Sequence, residues 1–410
     1  MYRTARTLLI VSVILLLIVG LSMLYSTTYA TWEELLLKKQ LVWITAGALI
    51  AVVCDTFLDY RWLGRHSYWL IGIFVLLLGY LALGNHLHRL PFIPDDAGHA
   101  LPFVSGLSHG SARWLKIWKI SVQPSEFAKL AIIVFLGDYF TRHARHSHEL
   151  YRGFLKPMAT VGMVGGLILV GGDLSTTAIT GAVVFCLAFI GGIRIRYLVL
   201  IVAAGLCLVA TAIKLSPERM SRFTSYRDPE TVQQDAGYQL WNSMLALGSG
   251  GAFGMGFTDS RIKRHYLPEA HTDFIVAIIG EELGFIGVLA VLLLYLSATS
   301  AALWIASLAA DRAGMLIASG VGISIAFHAF VNISVVSGFC PTTGVTAPFI
   351  SYGGSSMVAS LVGIGLLLSV CRAGEKEALN RMEEEQHQTR AEPLYRRRME
   401  KSGSVKGRRA

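Results

Sequence analysis

Ten apolar runs, separated by short polar or glycine-containing breaks, leave this chain one environment in which to fold. They occupy residues 8–24, 41–57, 68–83, 127–140, 158–170, 174–190, 198–213, 274 to about 305, 315–336 and 349–370. Such runs call for a hydrocarbon surround, and within a bilayer a helix satisfies its own backbone groups. Composition agrees: 53% of the 410 residues are hydrophobic and 15% charged, with a mean hydropathy of +0.54, more than a soluble core of this length needs. The expectation is an all-α polytopic membrane protein of about ten transmembrane helices with one large extracytoplasmic loop. Several runs fall short of the roughly 20 residues of a straight span, so their ends extend into polar sequence or are broken. The first run follows Arg3 and Arg6 and lacks a small-x-small cleavage site, so it is read as retained.

Charge sets the orientation. With a cytoplasmic N-terminus, alternate loops carry Arg61 and Arg65, then Arg142, Arg145, Arg152 and Lys156, then Arg194 and Arg196, then Arg312. Basic loops mark the cytoplasmic side, which places 26–40, 84–122, 215–272 and 337–348 outside. Residues 1–371 then form the membrane domain and 372–410 a basic cytoplasmic tail, read as a short helix running into a disordered end. The net charge of +9 is accounted for by topology and attraction to anionic lipid, so no nucleic acid is expected. The five cysteines, Cys54, Cys186, Cys207, Cys340 and Cys371, have no CxxC or CxxH spacing, which argues for neither a disulfide framework nor a zinc site.

The outer 215–272 segment is too long for a simple connection and is expected to hold short helices. Its "GSGGAFGMG" is not a phosphate loop, because the GK[ST] ending is missing and no strand precedes it. Arg219, Arg222, Arg227, Arg261, Lys263 and Arg264 are nearly balanced there by Glu218, Asp228, Glu230, Asp235, Asp259 and Glu269. A solvated mixed loop and a site for an anionic headgroup both fit.

Charges inside the apolar runs are harder to dismiss. In "QPSEFAKL", Pro124 suits a first helical turn, and Glu126 and Lys129, three residues apart, share a face at the outer end of the fourth run. A structural ion pair and a wet substrate path are the two readings. "GGDLSTT" adds Asp173 at a glycine-rich break, where irregular backbone survives only when buried in protein or facing water. In "YLPEAHTDFIVAIIGEELG", Asp273 sits at the start of the eighth run, where a helix dipole favours a negative charge. Glu281 lies two turns further on, offset by about 80°, while Glu282 points roughly opposite. Glu281 is therefore expected to share a cavity with Asp273, and Glu282 to find another partner, Lys129 or a backbone group.

Four segments in order, "GSARWLKIWKISVQPSEFAKL", "GYQLWNSMLALGSGGAFGMGF", "YLPEAHTDFIVAIIGEELGFIG" and "PTTGVTAPFISYGGSSM", resemble the signatures of the SEDS family (shape, elongation, division and sporulation). "LPEAHTDFIVAIIGEELG" with "SYGGSSM" is more similar to the division branch than to the elongation branch, and a sporulation paralogue is the other alternative. The resemblance implies ten transmembrane helices in the bacterial cytoplasmic (inner) membrane, both termini cytoplasmic, at the division septum. It implies a peptidoglycan glycosyltransferase that polymerises lipid II onto a growing glycan strand at the outer face. The implied partners are a class B penicillin-binding protein, other divisome proteins and membrane lipid. Carried over by motif, Asp273 is the catalytic carboxylate. Glu126, Lys129, Arg113, Lys263, Glu269, His271, Glu281, Ser351 and Ser355 form the substrate or cavity set. The family's "GARRW" reads "GSARW" here and its "PDLGT" reads "GDLST", so Arg113 and Asp173 are kept among altered neighbours.

Elementary chemistry is compatible with that implication. Sugar transfer at the membrane surface needs a base for an acceptor hydroxyl and positive charge for a departing pyrophosphate. A carboxylate supplies the first; Lys129, Arg113, the outer loop or a divalent cation (Mg or Mn) supplies the second. Small residues such as Gly353, Gly354, Ser355 and Ser356 would admit a polyprenyl tail or a packed helix. Two rival classes remain: a flippase for lipid II, which would need a polar path to the cytoplasmic side, and a non-enzymatic scaffold, which would need no cavity carboxylate.

Overall fold

The computed structural model describes residues 1–31, 34–87, 103–104, 113–118, 120–227, 236–264, 267 and 270–406. Of the charged loop residues considered above, Asp228, Glu230, Asp235 and Glu269 lie outside that set. Helices α1 (Tyr2–Thr31) and α2 (Glu34–Thr56) lead to the short α3 (Tyr60–Arg65), capped by Asp59, and then to α4 (Ser67–Leu87). A small antiparallel hairpin, β1 (Leu115–Ile117) with β2 (Ile120–Val122), pairs Leu115 with Val122 and delivers the chain to α5 (Pro124–Arg142). Helices α6 (Lys156–Val170), α7 (Leu174–Ile190) and α8 (Ile195–Lys214) follow. The expected short helices of the next segment are α9 (Pro217–Arg227) and α10 (Ala236–Ser249). The chain closes with α11 (Ile275–Ser307), α12 (Arg312–Val336) and α13 (Gly354–Lys406).

Eight of these helices are long and apolar enough to cross a bilayer: α1, α2, α4, α6 with its preceding turn, α8, α11, α12 and α13. The architecture is that of a multi-pass, all-α membrane protein. Two further expected runs fall on α7, which is apolar but only 17 residues long, and on α5, which carries Glu126, Lys129, Asp138 and Arg142. Helix α5 is the centre of the bundle, packed by α4, α7 and α12. Its middle turns, Ala128, Ala131, Ile132, Ile133, Val134, Phe135 and Leu136, are fully buried. The last apolar run begins later than expected, because residues 347–351 form a turn with Phe349 at a φ of 66° and α13 starts only at Gly354. At the other end, where a disordered tail was expected, the backbone is helical through Lys406. A run rich in Glu, Lys, Arg, Ala, Leu and Met favours that continuation, with Glu377 and Arg381 paired one turn apart at 3.6 Å.

Helix α11 is two helices joined at Gly284, whose φ of 69° and ψ of −167° are non-helical. The glycine-rich segment of the preceding loop fills the break. The amides of Met255 and Gly256 donate to the carbonyls of Glu281 and Glu282 at 2.9 and 3.1 Å, and those of Phe285 and Ile286 donate to Gly251 and Ala252 at 2.9 and 3.2 Å. Backbone groups freed by the kink are thereby satisfied by another backbone rather than left bare. The approach leaves no room for a side chain: a Cβ on Gly254 would lie 2.1 Å from the Glu282 carbonyl, and one on Gly284 would lie 2.3 Å from the Gly254 nitrogen. The two halves of α11 also differ in surroundings. Residues 274–282 are all buried, whereas Phe285, Ile286, Leu289, Leu292, Leu293 and Leu296 are exposed apolar side chains. From Phe285 to Ser307 the helix is long enough, at about 1.5 Å per residue, to cross a hydrocarbon core of about 30 Å by itself. The half that begins beside Asp273 is sheathed in protein.

Candidate functional site

One acid and two bases meet near the start of α5. Lys129 Nζ donates to Glu126 Oε2 at 2.9 Å, and both side chains are about nine-tenths buried. The same Nζ lies 2.7 Å from His328 Nε2 on α12. One turn along α12, Asn332 Nδ2 donates to the carbonyl of Asp273 at 2.8 Å and to that of Val345 at 2.7 Å. Residues four apart share a helix face, so the Lys129 ammonium and the Asp273 turn address one side of α12 about 6 Å apart along its axis.

Asp273 closes the turn 270–273, immediately ahead of α11, where unpaired amides and the helix dipole favour negative charge. The backbone of Gly344 runs beside it: a Cβ there would sit 3.4 Å from Asp273 Oδ2, and Gly344 has a φ of 70°. His271 is adjacent in the same turn. Its carbonyl accepts from the Tyr352 amide at 2.9 Å, and its ring meets the Tyr352 ring edge-on at 5.7 Å. Burial pushes the Tyr352 hydroxyl up from its ordinary value, so it stays a neutral donor. Ser351 closes the neighbouring turn, its Oγ accepting from the Ala347 amide at 2.8 Å.

The glycine-rich break between α6 and α7 forms the opposite wall. Asp173 caps α7, with Oδ1 accepting from the Thr176 amide at 3.0 Å, while Oδ2 accepts from Gln123 Nε2 at 3.0 Å. Gln123 in turn gives its amide to Ser355 Oγ at 3.0 Å, which ties the start of α5 to the start of α13. Arg113 Nη2 donates to the Gly172 carbonyl at 2.7 Å, and Arg219 reaches the same oxygen at 3.2 Å. Ser175 donates to the Thr343 carbonyl at 2.6 Å. Glu126, Lys129, Arg113, Asp173, Ser355 and the Asp273 turn thus come together through α5, α7, α12 and the 340–353 segment.

The α11 carboxylates have a different employment. Glu281, 1% exposed, turns into the 260–262 loop. It accepts from Ser260 Oγ and from the amides of Arg261 and Ile262 at 2.9 and 3.4 Å. Glu282, also 1% exposed, pairs with Lys263 Nζ at 2.5 Å. Its oxygens also accept from Ser26 Oγ of α1 at 2.6 and 2.8 Å and from the Thr258 and Ser260 amides at 3.1 and 3.4 Å. Backbone groups were one expected partner for Glu282, but its ion-pair partner is Lys263 and not Lys129, which Glu126 and His328 already hold. Lys263 is buried, with further bonds to Ser26 Oγ and the Thr258 carbonyl at 2.7 and 2.8 Å. The candidate Glu269 lies outside the described residues. His328 and Asn332 were not singled out from the sequence, although an ionisable group inside an apolar run is the same signal that marked Lys129.

A helical bundle with ionisable side chains buried among long apolar helices defines the class as a multi-pass membrane protein with a polar site inside its core. Residues 4–376 match the cell cycle protein family named for FtsW, RodA and SpoVE. The chain belongs to that family, the SEDS proteins. It is 34% identical over 377 residues to the probable peptidoglycan glycosyltransferase FtsW of Nitrosomonas europaea, covering 88% of this chain and 92% of that one. It is 36% identical over 376 residues to the stage V sporulation protein E of Bacillus subtilis, covering 89% and 96%. Among solved structures, the rod shape determining protein RodA of Thermus thermophilus has a TM-score of 0.62 at 26% identity, covering 89% of this chain and 95% of that one. A chain of a peptidoglycan synthase complex that coordinates polymerization and crosslinking has a TM-score of 0.70 at 27% identity, covering 89% and 97%.

Proposed function

We infer that the protein is a peptidoglycan glycosyltransferase of the division branch, polymerising lipid II into glycan strands at the outer face of the cytoplasmic membrane. The observation that supports this reading is that α12 holds both the Asp273 carbonyl, through Asn332, and the buried Lys129 ammonium, through His328 one turn away. In the reaction, the acceptor sugar hydroxyl attacks the donor anomeric carbon, a new C–O bond forms, and the bond to the lipid pyrophosphate breaks. Asp273 takes the hydroxyl proton. Lys129, with Arg113 at the α6–α7 break, offsets the negative charge that develops on the leaving pyrophosphate. Asp273, Lys129 and Arg113 are the chain's own groups for these steps, and a divalent cation held by the substrate phosphates would add to the same positive charge.

A flippase would need the polar path to continue through the bundle. Beyond Lys129, α5 presents Ile132, Ile133, Phe135, Leu136 and Tyr139, each no more than 2% exposed. Glu126, Lys129 and His328 lie on one side of that plug and the Asp138–Arg142 pair on the other, with no charged side chain of α5 between them, which supports polymerisation. The partner is a single-span class B penicillin-binding protein within the divisome, a reading supported by the synthase complex to which the fold is similar. The substrate pair is lipid II and the growing strand; the small residues at the start of α13 serve helix packing, with Gly354 against Trp43 of α2 and Ser355 bonded to Gln123.

The test is purified protein given lipid II in detergent, where no flipping is needed, with and without such a partner. Polymer is expected in the presence of the partner, and its absence under both conditions would remove the polymerase reading. The orientation that goes with it has its own check. A reporter fused after Arg145 should lie in the cytoplasm and one inserted between α9 and α10 should lie outside; finding both on one side overturns the ten-span arrangement.

A further inference from the structure

The geometry points to His328 as a positioning residue that aims the Lys129 ammonium at the anionic head of the substrate. The inference rests on the polymerase reading above. His328 is buried on α12, with Nδ1 2.7 Å from the Ser324 carbonyl and Nε2 2.7 Å from Lys129 Nζ. A carbonyl only accepts, so Nδ1 carries the proton and Nε2 presents a lone pair to the ammonium. Lys129 is then held from two helices. Glu126, on its own helix, supplies charge and one acceptor; His328, across the interface, supplies a second acceptor and no charge.

That difference matters for an anionic ligand. An ammonium held by one carboxylate and one neutral acceptor keeps its direction without meeting a second countercharge. Among the described residues, Glu126 and His328 take two of its three protons, which leaves the third for a phosphate oxygen of the substrate. A carboxylate in place of the imidazole would hold the ammonium equally well and cancel it. A hydrocarbon side chain would let a flexible four-carbon stem swing toward Glu126 alone.

Three substitutions separate aiming from packing, each measured on lipid II polymerisation in detergent with the partner present. His328→Gln keeps an acceptor oxygen without charge and should stay within about threefold of wild type. His328→Leu removes the acceptor from a charged donor and should lower kcat/KM by about ten- to hundredfold, the range expected for losing one charge-assisted bond. His328→Glu keeps an acceptor but adds negative charge, and should act mainly by raising KM. Thermal unfolding and co-purification with the partner serve as folding controls. Near-wild-type turnover by His328→Leu overturns the proposal, as does an equal loss in Gln and Leu variants that remain folded. If the Leu variant fails to fold, the contrast of Gln with Glu decides: equal KM values overturn the proposal. A wild-type preparation that makes no polymer would instead remove the polymerase reading itself.

Discussion

Asp273→Asn is expected to lower glycan polymerisation by about 10²- to 10⁴-fold, the usual contribution of a positioned general base. The amide keeps the size and much of the hydrogen bonding of the carboxylate and loses only its capacity to take a proton. The fold should tolerate the change, because the turn is held by its backbone: the Asp273 carbonyl accepts from Asn332, and the following helix is buried along residues 274–282. Expression, membrane insertion and partner binding should therefore persist while product from lipid II in detergent disappears. Near-normal polymer from Asp273→Asn would take this carboxylate out of the chemistry and restore the transporter alternative. Glu281→Gln should act less on turnover and more on the loop, since the Glu281 oxygens are committed to Ser260, Arg261 and Ile262.

Glu282→Leu is expected to be the most destabilising single change, at about 3–5 kcal/mol, the cost of leaving a buried charge without its partner. Lys263, buried to the same depth, would face Ser26 and the Thr258 carbonyl with no countercharge. The double variant Lys263→Met with Glu282→Leu should recover much of the loss, because neither charge is then stranded. Full recovery is not expected, since the Thr258 and Ser260 amides would still lack their acceptor. Thermal or denaturant unfolding in detergent measures both. A loss below about 1 kcal/mol for Glu282→Leu, the worth of an ordinary exposed pair, would show that this pair does not hold the loop to α1 and α11.

The helical bundle was legible because the bilayer imposes a coarse rule, one long apolar run per span, that tertiary packing does not override. Even α5 was found, although it carries four charges, since its apolar stretch lies between Lys129 and Asp138. Boundaries failed where a turn is itself apolar: Phe349 and Ile350 read as membrane sequence and lie in the loop ahead of α13. Within the site, the Glu126–Lys129 pair was visible because both residues lie on one helix face. His328 joins that pair from almost two hundred residues away, and no periodicity carries such a contact. The orientation of Glu281 and Glu282 was derived from a helix running from Asp273, but Asp273 lies in the turn ahead of α11, and the donors that take both carboxylates come from the loop before the helix. The glycine-rich segment carried no phosphate-loop ending in the sequence, and in the fold it packs backbone against the break in α11. Its actual use depends on matching backbone to backbone across some thirty residues, for which side-chain patterns offer no sign.

The break in α11 also decides what moves with what. A continuous rod would carry a push at one membrane face straight to the other. Here the stiff connection is cut at Gly284, and the nine residues before it are fastened instead to the loop strand, to Lys263 and, through Ser26, to α1. The loop also takes the Phe285 and Ile286 amides, so it splints the break from both sides. The Asp273 turn is thereby anchored twice, to the outer loop through the first half of α11 and to α12 through Asn332, the helix that also holds Lys129 through His328.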